Sequence, residues 1–229
     1  MSARDPVSSL AHAHLSALTE FLHKYAPAQA LARFSQRLES TPCDVLSENA
    51  IHYVLSPVEQ RPKEELITRA LYAKRQMTTC LKHLAEVAAP KLRHRTVVVH
   101  PLGALSARLL RKATVRCISI NQTTNAQSHA VHQAPEAFDG SDLLMLEARA
   151  VTKDGFIASK GARLLIELAR ARGIPVYGLA TSWHATPSWN DVQAEYVHPN
   201  VLTGIISEHG IYAHDQFLAR VQKTFPWLL

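Results

Sequence analysis

Residues 141–179 read SDLLMLEARAVTKDGFIASKGARLLIELARARGIPVYGL, and this stretch decides the fold class. Its apolar runs at 142–146 and 175–179 are typical of buried strands. Between them, residues 164–169 lie in a helix that Gly173 caps. A strand, a loop, a helix and a second strand in this order predict a parallel sheet with a right-handed crossover.

The same alternation of strands and helices begins near residue 93. Residues 96–99 form a short apolar run that predicts a buried parallel strand, and residues 115–120 predict another. A helix that carries Leu105 and Leu109 is expected between them. Residues 121–140 are polar, and their sequence does not assign them to an element.

Before residue 93 the pattern is helical, and the first three predicted helices cover residues 7–25, 28–38 and 47–55. A fourth helix follows Pro62 with an acidic first turn, and it is expected to end before Pro90. The sequence therefore predicts two parts. Residues 1–92 form a helical N-terminal subdomain, and residues 93–229 form a Rossmann-like α/β domain.

Composition is that of an ordinary globular protein, because 47% of the 229 residues are hydrophobic and 19% are charged. No run of about 18 apolar residues could cross a membrane. The first residues lead into a predicted helix rather than into an apolar signal core. We therefore expect a soluble, cytoplasmic protein with no membrane partner.

The net charge of +6 and the pI near 9.4 raise the question of a nucleic-acid partner. Apart from residues 91–95, however, the basic residues are scattered singly, and aromatic residues do not alternate with them. A solvated basic face is the preferred interpretation, and nucleic-acid binding is not expected.

Cysteine and histidine spacing predicts neither a disulfide framework nor a metal site. The three cysteines, Cys43, Cys80 and Cys117, are far apart and are interpreted as buried structural thiols. The pair His129 and His132 has helical spacing, but no third ligand is evident. No cofactor is expected.

Candidate ligand-binding residues lie in loops that follow strands, where α/β sheets bind ligands. In the first loop, His100 and Gly103 precede a helix whose free amides could hold a phosphate, although a plain turn between strand and helix is the preferred interpretation.

The loop at 147–161 offers four further candidates, Arg149, Asp154, Lys160 and Gly161. Its two cations could bind a phosphorylated ligand, or they could pair with Glu147 and Asp154 on the surface. In a later loop Ser182 lies near His184, but neither an acid nor an oxyanion hole can be named for them.

Several of these segments resemble the translation initiation factor 2B alpha/beta/delta family, which includes ribose-1,5-bisphosphate and methylthioribose-1-phosphate isomerases. The matching segments are DLLML at 142–146, AVTKDG at 150–155, GIPVY at 173–177 and, most specifically, EYVHPNVLTGIISEHG at 195–210. The resemblance implies a helical N-terminal part followed by a Rossmann-like sheet of the NagB/RpiA/CoA-transferase type.

Departures from the family pattern bear on function. The isomerases of the family use a cysteine in the loop that matches 100–103, where this chain has none, and an aspartate where this chain has Arg149. Lys160 is one position later than the family's lysine, and Trp183 stands where a further lysine is usual. Proton transfer between adjacent sugar carbons needs a positioned acid and base, so the resemblance does not imply an active isomerase.

Three hypotheses follow. The first is a non-catalytic protein like the regulatory subunits of factor 2B, which pairs with itself or with related subunits through the α/β domain and binds a nucleotide or sugar phosphate. The second is a divergent sugar-phosphate isomerase with His100 as base and with Arg149 and Lys160 as phosphate ligands. The third, an RNA-contacting module, is suggested by charge alone.

Overall fold

The computed structural model describes residues 6–39, 44–56, 62–112, 116–120, 127–129, 134–189, 191 and 194–229. The chain divides into two compact units, Met1–Thr79 and Cys80–Leu229. The boundary lies within a long helix, whereas the predicted division after residue 92 corresponds to the end of that helix.

The first unit is helical, as the sequence predicts. Its helices are α1 (Pro6–Lys24), α2 (Pro27–Glu39), α3 (Val45–Leu55) and the first part of α4 (Lys63–Leu92). Asp44 caps α3, because its Oδ1 accepts the amide N–H of Ser47 at 2.8 Å. The buried side chains of this unit include Leu15, Leu18, Leu22, Phe34, Val54 and Leu66.

Helix α4 extends beyond its predicted end, because Pro90 lies inside it and the helix continues to Leu92. A proline removes one backbone donor from a helix. The next turn is nevertheless closed, since the amide of Arg93 donates to the carbonyl oxygen of Ala89 at 3.1 Å. The expected stop before Pro90 was therefore wrong.

The second unit is built on a nine-stranded sheet in which β5 and β7 lie off the main path. Its strands are β1 (Thr96–His100), β2 (Arg116–Ile120), β3 (Gln127–His129), β4 (Leu143–Val151), β5 (Phe156–Ser159), β6 (Val176–Leu179), β7 (Ala194–Val197), β8 (Gly204–Ser207) and β9 (Gly210–Tyr212). The main order is β3-β2-β1-β4-β6-β8-β9, with parallel pairing up to β8. This confirms the predicted Rossmann-like α/β fold.

Both faces of the sheet are covered, because side chains alternate along each strand. Val97 and Val99 of β1 point to the face that the end of α4 and α5 (Ala104–Lys112) cover. Val98 points to the opposite face, which is covered by α6 (Ala134–Ala137), α7 (Ala162–Ala171) and α8 (His214–Thr224). The central strands are therefore buried on both sides, which explains their continuous apolar sequence.

The segment predicted as a loop at 147–161 is mostly a β-hairpin, so the prediction was wrong there. Strand β4 continues to Val151 with a bulge between Ala148 and Ala150, and β5 returns antiparallel to it. The predicted turn at Asp154 and Gly155 is present, since Thr152 N–H donates to the Gly155 carbonyl at 2.9 Å. The hairpin separates two of the candidate residues, because Arg149 lies at the bulge of β4 and Asp154 lies in the turn.

The C-terminal apolar segments belong to the core. Ile205 and Ile206 are fully buried in β8, and Phe225 and Leu228 pack into the main core of the unit. These segments therefore contribute to the core of the α/β unit. Among the described residues, no helix is both long enough and apolar enough to cross a membrane.

Candidate functional site

The carboxyl ends of β1 and β4 mark the point at which the order of the sheet reverses. The chain continues from β1 to β2 and β3 on one side, and from β4 to β6 and β8 on the other. The following helices, α5 and α7, pack on opposite faces. Such sheets bind ligands in the crevice that forms at the reversal. His100 ends β1 opposite Leu146, so that His100 and Glu147 both lie at this point.

Glu147 does not face solvent but is bound by the first turn of α5. Its carboxylate accepts the amide N–H groups of Gly103 at 3.1 Å, Leu105 at 3.3 Å and Ser106 at 3.2 Å. The Ser106 hydroxyl donates to the same carboxylate at 2.8 Å. The backbone amides on which the sequence predicts a phosphate therefore hold a carboxylate of the same chain.

Opposing effects act on the ionisation of Glu147. Burial raises the pKa of its carboxyl group above the usual value, while the bonds from Ser106, Leu105 and Gly103 partly offset that rise. Among the residues that the structure describes, no basic side chain forms an ion pair with Glu147. Backbone dipoles and one hydroxyl therefore stabilise the charged form.

Gly103 is required where the chain passes the Glu147 carboxylate. A Cβ at this position would lie 2.5 Å from Cδ of Glu147, well inside van der Waals contact. Gly103→Ala is therefore expected to lower the free energy of unfolding by about 1–3 kcal/mol, because the carboxylate must leave its donors. Urea unfolding followed by circular dichroism measures the loss. In a Glu147→Asp background, where the carboxylate is one methylene shorter, the same substitution should cost less, and an equal cost in both backgrounds would contradict this explanation.

His100 is the second buried polar group at the reversal, with 3% of its surface exposed. Its Nε2 lies 2.9 Å from the carbonyl oxygen of Lys160, which can only accept, so Nε2 carries a proton. Its Nδ1 is buried and has no hydrogen-bond partner among the described residues. The imidazole therefore presents one unused nitrogen at this end of the sheet.

A second carboxylate binds the backbone amides at the start of α7. Glu195 accepts the N–H groups of Gly161 and Arg163, each at 2.9 Å. Burial raises the pKa of Glu195, but these two amides together with the nearby charges of Arg163 and His100 outweigh it, and the pKa lies below the usual value. Gly161 has a φ of 97°, which favours glycine, and a Cβ at this position would lie 3.6 Å from Nε2 of His100.

The two remaining candidates of the hairpin point elsewhere. Arg149 lies at the bulge of β4 and forms an ion pair with Asp191 rather than with Glu147 or Asp154, so the predicted surface pairs were wrong. Asp154 is exposed in the hairpin turn, where its carbonyl oxygen accepts the hydroxyl of Tyr196. The Lys160 side chain is exposed, and its backbone rather than its ammonium contacts His100.

In the loop after β6, Ser182 does contact a histidine, but not the one that is near in sequence. Its hydroxyl lies 2.9 Å from Nε2 of His209, while His184 contacts Thr181 instead. The amide of Ser182 donates to both carboxylate oxygens of Glu208, at 2.9 and 3.2 Å. Ser182 is fully buried, and its own amide is taken by Glu208 rather than left free for an oxyanion.

The structure thus brings together three of the predicted site residues, His100, the backbone of Lys160, and Gly161. Gly103 is close to Glu147, whereas Arg149 and Asp154 have other partners. Glu195 and Glu208, whose carboxylates bind these loops, were not among the residues predicted from the sequence. Their signal was weak but present, since both belong to the segment with the most specific family resemblance.

No group of three or more potential metal ligands occurs among the described residues. Cys80 is a buried free thiol next to Glu208 and Trp183, and burial strongly raises its pKa. Cys43 and His132 lie outside the described residues, and the structure does not describe the side chains of Cys117 and His129.

Solved structures with the same architecture share few residues with this chain. A translation initiation factor 2B from Pyrococcus horikoshii OT3 superposes with a TM-score of 0.77 and 17% identity over 93% of both chains. The chain has the fold of factor 2B subunits. A further match is the tetrameric complex of beta and delta subunits of factor 2B from Chaetomium thermophilum, with a TM-score of 0.73 and 14% identity over 95% of this chain and 89% of that one.

An enzyme shares the factor 2B fold. The 5-methylthioribose 1-phosphate isomerase from P. horikoshii OT3 superposes with a TM-score of 0.69 and 14% identity over 98% of this chain and 85% of the enzyme. No protein-family model matches the chain, and no curated protein matches it significantly. The resemblance seen in the sequence is confirmed for the fold, and function must be inferred from the site.

Proposed function

We propose that this chain is a divergent, non-catalytic relative of the factor 2B regulatory subunits that acts by pairing with another subunit of the same fold. The proposal rests on three sets of backbone amides, one after each of the strands β1, β5 and β6. Each binds a carboxylate of the chain itself, from Glu147, Glu195 and Glu208 respectively.

The proposal that the chain is non-catalytic rests on the side chains that these loops offer to a substrate. An aldose–ketose isomerase must place an acid and a base beside two adjacent carbons. The cysteine that the family resemblance would require is absent, and Arg149 replaces the aspartate and is paired with Asp191. The carboxylates of Glu147 and Glu208 are occupied by backbone amides of the chain itself.

Subunit pairing is proposed from the fold. One of the matching structures is a tetramer of beta and delta subunits. In an analogous assembly the partner would be a second copy or a related subunit, contacted through the α/β domain, and the protein would act in the cytoplasm. A nucleic-acid role has no support beyond the overall charge.

A nucleotide or sugar phosphate remains a proposed ligand at the reversal of the sheet. Nδ1 of His100 can form a hydrogen bond with a ligand hydroxyl, and the exposed Lys160 ammonium can contact a phosphate beside Gly161. Of the other candidates, Gly103 contacts Glu147, and Arg149 and Asp154 have other partners.

The second candidate, a divergent sugar-phosphate isomerase, is favoured by one observation. Nδ1 of His100 is a buried ring nitrogen with no hydrogen-bond partner among the described residues, and it lies at the end of the sheet where such folds bind substrates. The acid that would complete the reaction is not identified among the neighbouring residues.

Light scattering coupled to gel filtration tests the first proposal directly. A dimer or larger species is expected at micromolar concentration, and a clean monomer would overturn pairing with itself; co-purification with added factor 2B subunits then tests a mixed pair. Isomerase turnover of ribose 1,5-bisphosphate or methylthioribose 1-phosphate should be absent, and turnover would favour the second candidate.

The proposed phosphate contact is tested by thermal shift with nucleoside monophosphates and pentose phosphates. Stabilisation of the wild type is expected to be lost in Lys160→Ala and kept in Lys153→Ala, which removes an exposed lysine from the nearby turn. Equal effects of the two substitutions would show that the ligand responds to surface charge and not to this site.

A further inference from the structure

His14 is a buried polar side chain of the first, helical unit, and it has no hydrogen-bond partner. Only 1% of its surface is exposed, and both of its ring nitrogens lack a partner among the described residues. Buried polar groups are nearly always hydrogen-bonded, because an unpaired one has given up its bonds to water without replacing them. The position of His14 in α1 is therefore destabilising by itself, and the packing around it has to offset that cost.

A second unpaired polar group lies at the start of α3, one of the two helices against which α1 packs. The hydroxyl of Ser47 is fully buried and has no partner among the described residues, although the amide of Ser47 is bound to Asp44. Asp44 is close enough to His14 for its charge to act on the imidazole. Two unsatisfied side chains and one carboxylate thus lie in the part of the unit where α1 meets α3, and most of the other buried side chains there are apolar.

The surroundings of His14 disfavour its protonated form. Burial lowers the pKa of the imidazole, Asp44 raises it, and Arg37 on α2 lowers it, so that the pKa lies below the ordinary value of 6.5. On α4, Lys74 acts on His12 rather than on His14. Among the described residues, Asp44 is the one acidic group that acts on His14, and it does not outweigh burial.

Separation of α1 from its neighbours would remove this restriction on His14. An imidazole in water has a pKa of about 6.5, so His14 takes up a proton below that pH when α1 is open. The closed arrangement binds the proton less tightly, and protonation therefore shifts the equilibrium towards the open one. The closed arrangement is fully favoured above pH 6.5 and is progressively less favoured as the pH falls towards the lower pKa of the buried imidazole.

We propose that His14 is a pH-sensitive latch, which keeps α1 packed on α2 and α3 while its imidazole is neutral and releases the helix when the imidazole takes up a proton. Release uncovers the faces of α2 and α3 that α1 covers in the closed arrangement. The latch lies in the helical unit, so it involves neither the carboxylate-bound loops of the α/β unit nor the phosphate contact proposed at Lys160.

Hydrogen exchange of the α1 amides, followed by mass spectrometry on the full chain from about pH 8 to about pH 5, tests the latch. After correction for the intrinsic exchange rate at each pH, the equilibrium constant for opening of α1 should rise below pH 6.5, by up to about tenfold per pH unit. His14→Phe keeps an aromatic ring and removes the titrating group, so the rise should largely disappear. His23→Gln changes an exposed histidine near the end of the same helix and should keep the rise.

Comparison of the two variants with the wild type isolates His14, because any contribution from the half-buried His12 is present in all three proteins. A flat wild-type profile, or an equal rise in His14→Phe, would overturn the proposal. If the phenylalanine variant does not fold, His14→Leu takes its place. An equal pH dependence of exchange in α1 and in the central strands β1 and β4 would also contradict the latch, because it would mean that acid unfolds the whole chain and not this helix.

Discussion

Replacing Trp183 by alanine is expected to lower the free energy of unfolding by about 3–5 kcal/mol, the range for deleting a large buried aromatic side chain. Trp183 has no exposed surface, and its ring lies 6.0 Å from that of Phe225 and 5.2 Å from that of Trp227. The alanine variant leaves a cavity between β6 and the C-terminal residues. Urea unfolding followed by far-ultraviolet circular dichroism measures the loss without relying on tryptophan fluorescence.

Other replacements of Trp183 test function as well as packing. Trp183 stands where the family resemblance would place a lysine, and an ammonium at this buried position should destabilise at least as much as alanine. Trp183→Phe should cost less than either, because it retains most of the packing. Trp189→Ala, at a partly exposed position of the same loop, serves as the control. A stable Trp183→Lys variant would show that this position can still serve a ligand site.

The central sheet was predictable because burial on both faces imposes a simple pattern. Strands β1, β4 and β6 are short apolar runs followed by helices, and their parallel pairing follows from that order. The hairpin of β4 and β5 was missed because Arg149 and the polar turn at 152–155 interrupt the apolar run. Polar residues are normal in a partly exposed hairpin, so the sequence alone does not distinguish this hairpin from a loop.

The candidate site was predictable as a region but not as a set of contacts. Its position followed from the ends of the strands, and Gly103 and Gly161 were among the predicted ligand-binding residues. The partners were not, because Glu147 binds Ser106 and Ser182 binds His209 across 41 and 27 residues of sequence. Sequence proximity suggested Arg149 with Glu147 and Ser182 with His184, and tertiary packing replaced both pairs.

Stability between pH 7 and pH 4 should depend strongly on His184. Burial lowers the pKa of this imidazole to about 4, from an ordinary value of 6.5. The folded state therefore resists protonation, and the unfolded state takes up the proton first. The stabilisation is complete above pH 6.5, is lost as the pH falls towards 4, and amounts to about 3 kcal/mol over that interval.

His184→Asn isolates this contribution from those of the other titrating groups. Nδ1 of His184 accepts the amide N–H of Thr181 at 3.0 Å, and the side-chain oxygen of asparagine can accept the same bond without binding a proton. Urea unfolding of both proteins between pH 7 and pH 4 gives the difference in slope. The variant should be less stable than the wild type at pH 7, because it packs less well, and the gap should close by about 3 kcal/mol by pH 4. Parallel pH profiles would mean that the imidazole of His184 accepts a proton as readily in the folded chain as in water.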